Sequence, residues 1–456
     1  MPDISERPFA SLVAAQRRYF STGATLAWER RRNALRALRD AVRKHEQSAL
    51  NALHEDLGKS PAEGYLTEVG MVLSEITFML RRLKGWMRPR RAGSLFPIWP
   101  SVCRIYPEPL GVALIFSPWN YPFQLALLPL AAAVAAGNCV VLKPSPTAPA
   151  TTAVLAAILR EAFAPEFAAP VDAGDDAATA LLRERFDFIL YTGSGRVGHI
   201  IMEAAARHLT PVCLELGGKS PVIVAADANL DVAARRIAWG KSLNAGQTCV
   251  APDYIWADRA VKEELIRRLN RSFTTMLGPD PVRNEHYGRI INRKAFDRLL
   301  GLTSVPLAAD RALLKIAPCV LDANPDEPVM REEIFGPLLP VLAYDRIEQA
   351  LDHIRANDKP LALYLFTDDK ALQDRVLQSV PFGGGCINDT IVHACSRNLP
   401  FGGVGPSGMG RYHGKAGFEM FSNLKSVLRQ TILFDLPFRY PPYGPGRFAL
   451  FRRILR

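Results

Sequence analysis

At 456 residues the chain exceeds one ordinary core and points to two or three domains. Hydrophobic residues make up 48% of it and charged residues 22%, which leaves out a disordered chain and fits a folded, soluble protein. The formal charge of +11 permits phosphates, nucleic acid or an anionic membrane as partners without choosing among them.

The first ten residues carry Asp3, Glu6 and Arg7 and no apolar core behind a basic start, so no secretory signal is read there. Seven scattered cysteines without a CxxC pair argue against a zinc ribbon or thioredoxin-type site, and reduced thiols in the cytoplasm are expected. The first ninety residues are helical in pattern. Leu35, Leu38 and Val42 form an apolar stripe among Arg30, Arg31, Arg32, Arg36 and Arg39, and a second amphipathic run covers roughly Val69 to Trp86. These arginines, with Arg88, Arg90 and Arg91, read as solvated helix faces rather than a nucleic-acid patch. No charged residue occurs from Pro109 through Leu142, longer than the roughly 20 residues a membrane span needs. Pro118, Asn120, Pro122, Pro129 and Gly137 interrupt it, so it is predicted as a strand (Gly111–Phe116), a turn, a buried helix (Gln124–Ala136) and a strand (Cys139–Leu142). Phe186–Tyr191 and Val222–Val224 follow as buried strands, with helices at Thr152–Phe163 and Val197–His208. A second series has strands at Tyr254–Ala257, Leu339–Tyr344 and Leu361–Phe366 and a helix at Val261–Leu277. The alternation predicts two α/β units with parallel sheets.

Three motifs carry chemistry. Gly193-Ser-Gly195-Arg-Val-Gly198 matches G-x-G-x-x-G between a strand and a helix, as a dinucleotide site or simply a tight turn requires. An acid about 20 residues on would hold the cofactor ribose, and Glu215 stands near that distance. Asn244-Ala-Gly-Gln-Thr-Cys249 surrounds one cysteine with small residues, which gives a nucleophile access; an inert core cysteine is the plainer alternative. Glu215-Leu-Gly-Gly-Lys219 places a carboxylate between apolar segments, where it is either a base of raised pKa or a glutamate salt-bridged to Lys219.

These motifs belong to a larger set that resembles the aldehyde dehydrogenase superfamily. The set comprises Phe116-Ser-Pro-Trp-Asn-Tyr-Pro122, Leu142-Lys-Pro-Ser145, Tyr191-Thr-Gly-Ser194, Leu214-Glu-Leu-Gly-Gly-Lys219, Gly246-Gln-Thr-Cys249, Glu332-Glu-Ile-Phe-Gly-Pro337 and Leu399-Pro-Phe-Gly-Gly-Val-Gly405. The likeness covers roughly residues 10 to 435, and the run Gly408-Met-Gly-Arg-Tyr-His-Gly-Lys415 is most similar to the class 3 branch of fatty, aromatic and coniferyl aldehyde enzymes. It implies oxidation of an aldehyde to its acid with NAD or NADP. By resemblance Cys249 is the nucleophile, Asn120 an oxyanion donor and Glu215 the base for water, which displaces the ribose role from Glu215. Ser117, Trp119, Lys143, Gly193, Ser194, Gly198, Glu333 and Phe335 are implied at the cofactor, and Tyr121, Trp239 and Phe401 along the substrate tunnel. No metal is implied. Gly195 departs from the threonine or proline common in relatives.

The implied fold is a Rossmann-like α/β cofactor domain at 1–214, an α/β catalytic domain at 215–405 and a small bridging, oligomerisation sheet from about 96–107 and 406–435, in a homodimer. Rivals on the same fold are a CoA-acylating or semialdehyde dehydrogenase and a non-catalytic, membrane-associated relative; the presence of Glu215, Cys249 and Asn120 speaks against the CoA-acylating enzyme and the non-catalytic relative. The tail from Pro437 alternates Phe448, Leu450, Phe451, Ile454 and Leu455 with arginines. It is read as a short helix that packs on the protein, over a partner's substrate entrance, or lies peripherally on an anionic membrane.

Overall fold

The computed structural model describes residues 8–93, 100–171, 174–433 and 435–455. Its first six-stranded sheet follows directly from the buried apolar runs. Val112–Phe116, Cys139–Lys143 and Phe188–Thr192 are buried at every position, as central parallel strands covered on both faces must be. Across this sheet the order is Gly408–Met409, Val212–Glu215, Phe188–Thr192, Val112–Phe116, Cys139–Lys143 and Ala168–Pro170. Only the two-residue strand at Gly408 is antiparallel. The chain winds outward in one direction from Val112–Phe116 and then restarts on its other side at Phe188–Thr192. Their carboxyl ends therefore flank the point where strand order reverses, and loops diverge there to leave a crevice.

The charge-free run folds as strand, helix and strand. Gln124–Ala136 is apolar all round and almost wholly buried, and it packs against Trp28–Lys44 and Gly70–Trp86. It stops at Gly137, whose φ of +97° suits glycine and whose missing Cβ leaves room for the Arg31 guanidinium, 2.6 Å from where a Cβ would stand. Arg31 corrects the expectation of a solvated arginine face: it is buried and donates from Nε to Thr25 O at 2.9 Å and from Nη1 to Ala135 O at 3.4 Å. Burial pulls its pKa down to about 10. Among the described residues no helix is long and apolar enough to cross a membrane.

The second six-stranded sheet is wholly parallel, in the order Cys319–Asp322, Leu338–Tyr344, Tyr254–Asp258, Pro221–Val224, Ala362–Phe366 and Gly384–Ile387. The chain passes from one sheet to the other between Glu215 and Pro221. A third, antiparallel sheet sets Arg90–Ala92 and Ser422–Gln430 on either side of Ser101–Pro109. The expected bridging segment begins at 96, and its residues 96–99 lie outside the described residues. The tail forms a ten-residue helix, Pro445–Ile454. Arg447 donates to the carbonyls of Tyr440 and Pro442, and the Tyr443 and Phe451 rings meet at 5.6 Å, so the segment folds on itself and leaves Phe448 and Leu455 exposed.

Candidate active site

The crevice beside the reversal point is a cavity of about 450 Å³. Pro118, Trp119 and Asn120 line it from the turn after Val112–Phe116; Thr192, Gly193, Ser194 and Gly195 line it from the turn after Phe188–Thr192. Glu215, Cys249, Glu333 and Phe335 line it as well. A second cavity, about 290 Å³ and mostly apolar, is lined by Tyr121, Trp239, Phe401, Leu125, Val392 and Tyr412 among others. Thr192, Glu215 and Cys249 line both, so the two cavities meet at the cysteine.

The nucleophile loop is held by buried polar contacts. After the helix Leu230–Ser242, Asn244 and Ala245 take left-handed backbone angles and Gly246 has φ +75°. Gln247, fully buried, donates through Nε2 to Asn244 O and Arg289 O, both at 2.9 Å, and accepts from Ile291 N at 3.0 Å. Asn120 Nδ2 donates to Gln247 O at 3.1 Å, which ties the Asn120 turn to the cysteine loop and leaves a second amide hydrogen for another acceptor. Tyr121 and Thr248 share a hydroxyl hydrogen bond of 2.7 Å. Enclosure by protein, reinforced by Glu333 and Glu215, pushes the Cys249 thiol up to about 12.

Glu215 is buried at the end of its strand, and burial raises its pKa well above the carboxylate range. It has no ion pair with Lys219, the alternative the sequence left open. Lys219 instead pairs with Asp253 at 2.5 Å and donates to Val329 O and Glu332 O. Glu333 is pushed up to about 8, first by burial and then by Asp253. It fits only because residue 217 is glycine: a Cβ there would stand 2.0 Å from Glu333 Oε2.

The sequence profile of the aldehyde dehydrogenase family matches residues 1–427. The chain is 42% identical to aldehyde dehydrogenase family 3 member H1 of Arabidopsis thaliana over 98% of this chain and 94% of that one. It is 42% identical to the dimeric NADP-preferring aldehyde dehydrogenase of Canis lupus familiaris over 95% of this chain and 97% of that one. The substrate-bound Staphylococcus aureus AldH structure superposes with a TM-score of 0.95 at 38% identity, with both chains fully covered. This chain belongs to the aldehyde dehydrogenase family. The fold is accordingly a Rossmann-like cofactor domain with an α/β catalytic domain, and the activity is NAD(P)-dependent aldehyde oxidation.

This aldehyde dehydrogenase has room and polar groups for a dinucleotide in the larger cavity. Ser117 Oγ and Thr192 Oγ1 are buried without a hydrogen-bond partner among the described residues. The helix Gly195–Ala206 points its N-terminus at the cavity, and its N-cap Ser194 makes no side-chain cap, so first-turn N–H groups are free for a phosphate. A Cβ on Gly195 would meet nothing within 4 Å, so the departure at this position opens the wall rather than closing it. Trp119 and Phe335 meet edge to face at 5.5 Å. Of the two unpartnered hydroxyls, that of Thr192 belongs to the lining, whereas Ser117, just past the strand Val112–Phe116, and Lys143, at the end of its strand, stand beside the cavity. Gly198 does not line it either: a Cβ there would press on Leu216 at 3.0 Å, so this glycine serves helix-to-sheet packing.

Sequence reasoning placed Tyr121, Trp239 and Phe401 and missed their neighbours Leu125, Val392, Cys395, Tyr412 and His413. Tyr412 and His413 both lie within the run Gly408-Met-Gly-Arg-Tyr-His-Gly-Lys415, so a signal existed for them. Leu125 falls in the predicted buried helix Gln124–Ala136, where nothing marks it out from core.

Proposed function

We propose that this enzyme oxidises medium- or long-chain aliphatic or aromatic aldehydes to free acids. The observation that carries the reading is the apolar cavity lined by Tyr121, Trp239 and Phe401 that ends on Cys249 beside Glu215. Such a funnel selects by apolar burial, which grows with chain length or ring area. NAD(P)H production from hexanal, decanal, hexadecanal, benzaldehyde and coniferyl aldehyde tests it; a preference for short polar aldehydes overturns it.

In the proposed chemistry the Cys249 thiol gives its proton to water and the resulting thiolate attacks the carbonyl carbon through Sγ. The free Asn120 amide hydrogen and the Cys249 backbone N–H hold the oxyanion, each donor contributing about 3 kcal/mol. The nicotinamide ring, when bound, supplies the hydride acceptor that lets the adduct become a thioester on Cys249. Glu215 takes a proton from water, and the hydroxide displaces Cys249 and releases the acid. Trp119, Gly193, Ser194, Glu333 and Phe335 would hold the dinucleotide, with Ser117 and Lys143 at its margin and Gly198 setting the helix in place. A CoA-acylating enzyme has no use for Glu215, whose position at the junction supports hydrolysis.

We assign the cofactor domain to about 1–214, the catalytic domain to about 215–405 and the bridging part to about 406–435. We propose a cytoplasmic homodimer; its joining through the third sheet is supported by the exposed Leu424, Val427 and Leu428 on Ser422–Gln430. We propose that the tail helix packs on the protein, over the partner's substrate entrance; its exposed Phe448 and Leu455 beside Arg447, Arg452 and Arg453 keep a peripheral membrane contact as the reading to test against it.

A further inference from the structure

Lys59 and Glu68 form an ion pair at 2.5 Å in which both side chains are fully buried, and neither lines the cavities. Burying two charges costs desolvation that their attraction often fails to repay, so a pair of this kind calls for an account beyond stability. Its contacts supply one. Lys59 Nζ donates a second hydrogen bond, to the backbone carbonyl of Asn120 at 3.1 Å, and lies 3.8 Å from the centre of the Tyr121 ring. Glu68 Oε2 accepts from the N–H groups of Phe123 and Gln124 at 3.0 and 2.9 Å. Those two groups begin the helix Gln124–Ala136, which takes no side-chain cap from its own N-cap Phe123. Glu68 is thus the cap, a carboxylate where the helix dipole favours one. The pair grips residues 120 to 124 at both ends. From the other side Asn244 Nδ2 donates to the same Asn120 carbonyl at 2.8 Å and to Gln247 O at 3.0 Å. The Asn120 backbone is therefore clamped between the ion pair and the loop that carries Cys249. Glu68 sits in a π-helical turn, Tyr65–Val69, a feature frequent where a helix is bent to a task.

We propose that Lys59, set by Glu68, is a positioning residue that fixes Asn120 so that its amide meets the oxyanion of the thiohemiacetal. The inference rests on the reading of Asn120 as an oxyanion donor, and it adds two residues that touch neither substrate nor cofactor.

The test is a double-mutant cycle in the full-length enzyme, with kcat/KM for hexanal as readout and the cofactor dissociation constant, from tryptophan quenching, as control. Lys59→Met lowers kcat/KM on the order of 30-fold, since a misplaced reacting group costs up to about a hundredfold. Cofactor affinity falls by no more than about threefold, because most of the cofactor wall (Thr192 to Gly195, Glu333 and Phe335) comes from other turns and only Pro118 and Trp119 share the turn of Asn120. In an Asn120→Ala background the same substitution costs less than about threefold, because the group it positions is gone. Losses that multiply, or a matching loss of cofactor affinity, overturn the proposal. Lys59→Met leaves Glu68 unpaired, so Lys59→Met/Glu68→Gln is run beside it: the charges are removed together at similar volume while the amide oxygen still caps the helix. Wild-type activity in that variant also overturns it, as does failure of both variants to fold, which makes the pair scaffold alone. If Asn120→Ala itself leaves kcat/KM unchanged, the oxyanion reading fails and not only this one.

Discussion

The thiol of Cys213 donates toward Oε1 of Glu215 at 3.8 Å, from two residues earlier on the same strand. One carboxylate oxygen is thus occupied, while Oε2 is buried without a hydrogen-bond partner among the described residues at the junction of the two cavities. A base with one free oxygen, in a residue that lines both cavities together with Cys249, suits the second half of the reaction. Glu215→Gln is expected to leave a burst of NAD(P)H followed by slow turnover in stopped-flow mixing, because thioester formation precedes the need for a base. Burial raises the Glu215 pKa, so the carboxyl is protonated and unable to accept a proton at a pH where an ordinary glutamate is ionised. Wild-type deacylation therefore falls as pH drops through that raised value and rises above it, and Glu215→Gln flattens this limb. Equal loss of burst and turnover would place Glu215 before the thioester.

Cys249→Ser should reduce kcat below about one hundredth of wild type while cofactor binding and melting temperature hold, since a hydroxyl is a far weaker nucleophile than a thiolate. With the thiol pushed up to about 12 in the ligand-free protein, alkylation of Cys249 by iodoacetamide should quicken steadily from pH 7 to 9. Retention of a tenth of the activity would sink the covalent mechanism.

Much of the first sheet was legible because a short all-apolar run reads as a buried strand once proline and glycine bound it: the four apolar residues Cys139–Leu142 were predicted, and the observed strand adds Lys143. Where the prediction slipped, a distant partner decides. The predicted helix at Thr152 begins at Pro149, because Asp56 accepts from the N–H groups of Ala150 and Thr151 and caps it from 94 and 95 residues away. Phe186 was read into a strand that begins at Phe188; it is buried, and burial alone cannot tell a strand from the turn before it. The roles of the motif residues came from resemblance, whereas Lys59 and Glu68 left no local trace, since the contacts that give them meaning span 61 and 55 residues; Asn244 stood in the cysteine motif, but its contact to the Asn120 carbonyl spans 124. Arg31 was misread for the same reason: its stripe of arginines is solvated in pattern, and only the close of a distant helix buries it.

Gly246→Ala tests how tightly the cysteine loop is set. A Cβ there would stand 2.2 Å from Gly336 O, on a backbone whose φ of +75° already disfavours a side chain. The loop has to move, and Cys249 moves with it. Destabilisation above about 2 kcal/mol, seen as a fall in melting temperature, together with a tenfold or greater loss of kcat, is expected. A variant matching wild type in both would show that the loop is loose.

Removal of residues 446–456 separates the two readings of the tail. If the helix lies over the partner's entrance, truncation leaves co-sedimentation with anionic liposomes unchanged and shifts KM for hexadecanal more than for hexanal. A helix of ten residues is about 15 Å long and can lie on a bilayer but not span it. Liposome binding that disappears with the tail, at unchanged KM for both aldehydes, would assign Phe448 and Leu455 to the membrane instead.

Cofactor choice turns on the turn after Lys143. By resemblance, NAD-selective relatives place a glutamate three residues after this lysine, where it holds the adenosine 2′-hydroxyl and repels a 2′-phosphate. Here that position is Pro146, exposed in the turn before the helix Pro149–Ala162, and the sequence Lys143-Pro-Ser-Pro146 carries no negative charge. Selectivity is a difference of affinities, often set by a repulsive element, and the repulsive element is missing. The enzyme is expected to use both cofactors, with kcat/KM for NADP within about tenfold of that for NAD, a gap of about 1.4 kcal/mol. Because Pro146 faces solvent, a glutamate fits there without displacing a neighbour. Pro146→Glu should move the ratio toward NAD by weakening NADP and leave the NAD constants nearly unchanged. Steady-state kinetics with each cofactor at saturating aldehyde reads the ratio, and salt adds a second check, since a 2′-phosphate held by Lys143 loses affinity as ionic strength rises while a hydroxyl does not. A wild-type preference for NAD above a hundredfold that Pro146→Glu leaves unchanged would show that selectivity is set elsewhere in the cleft.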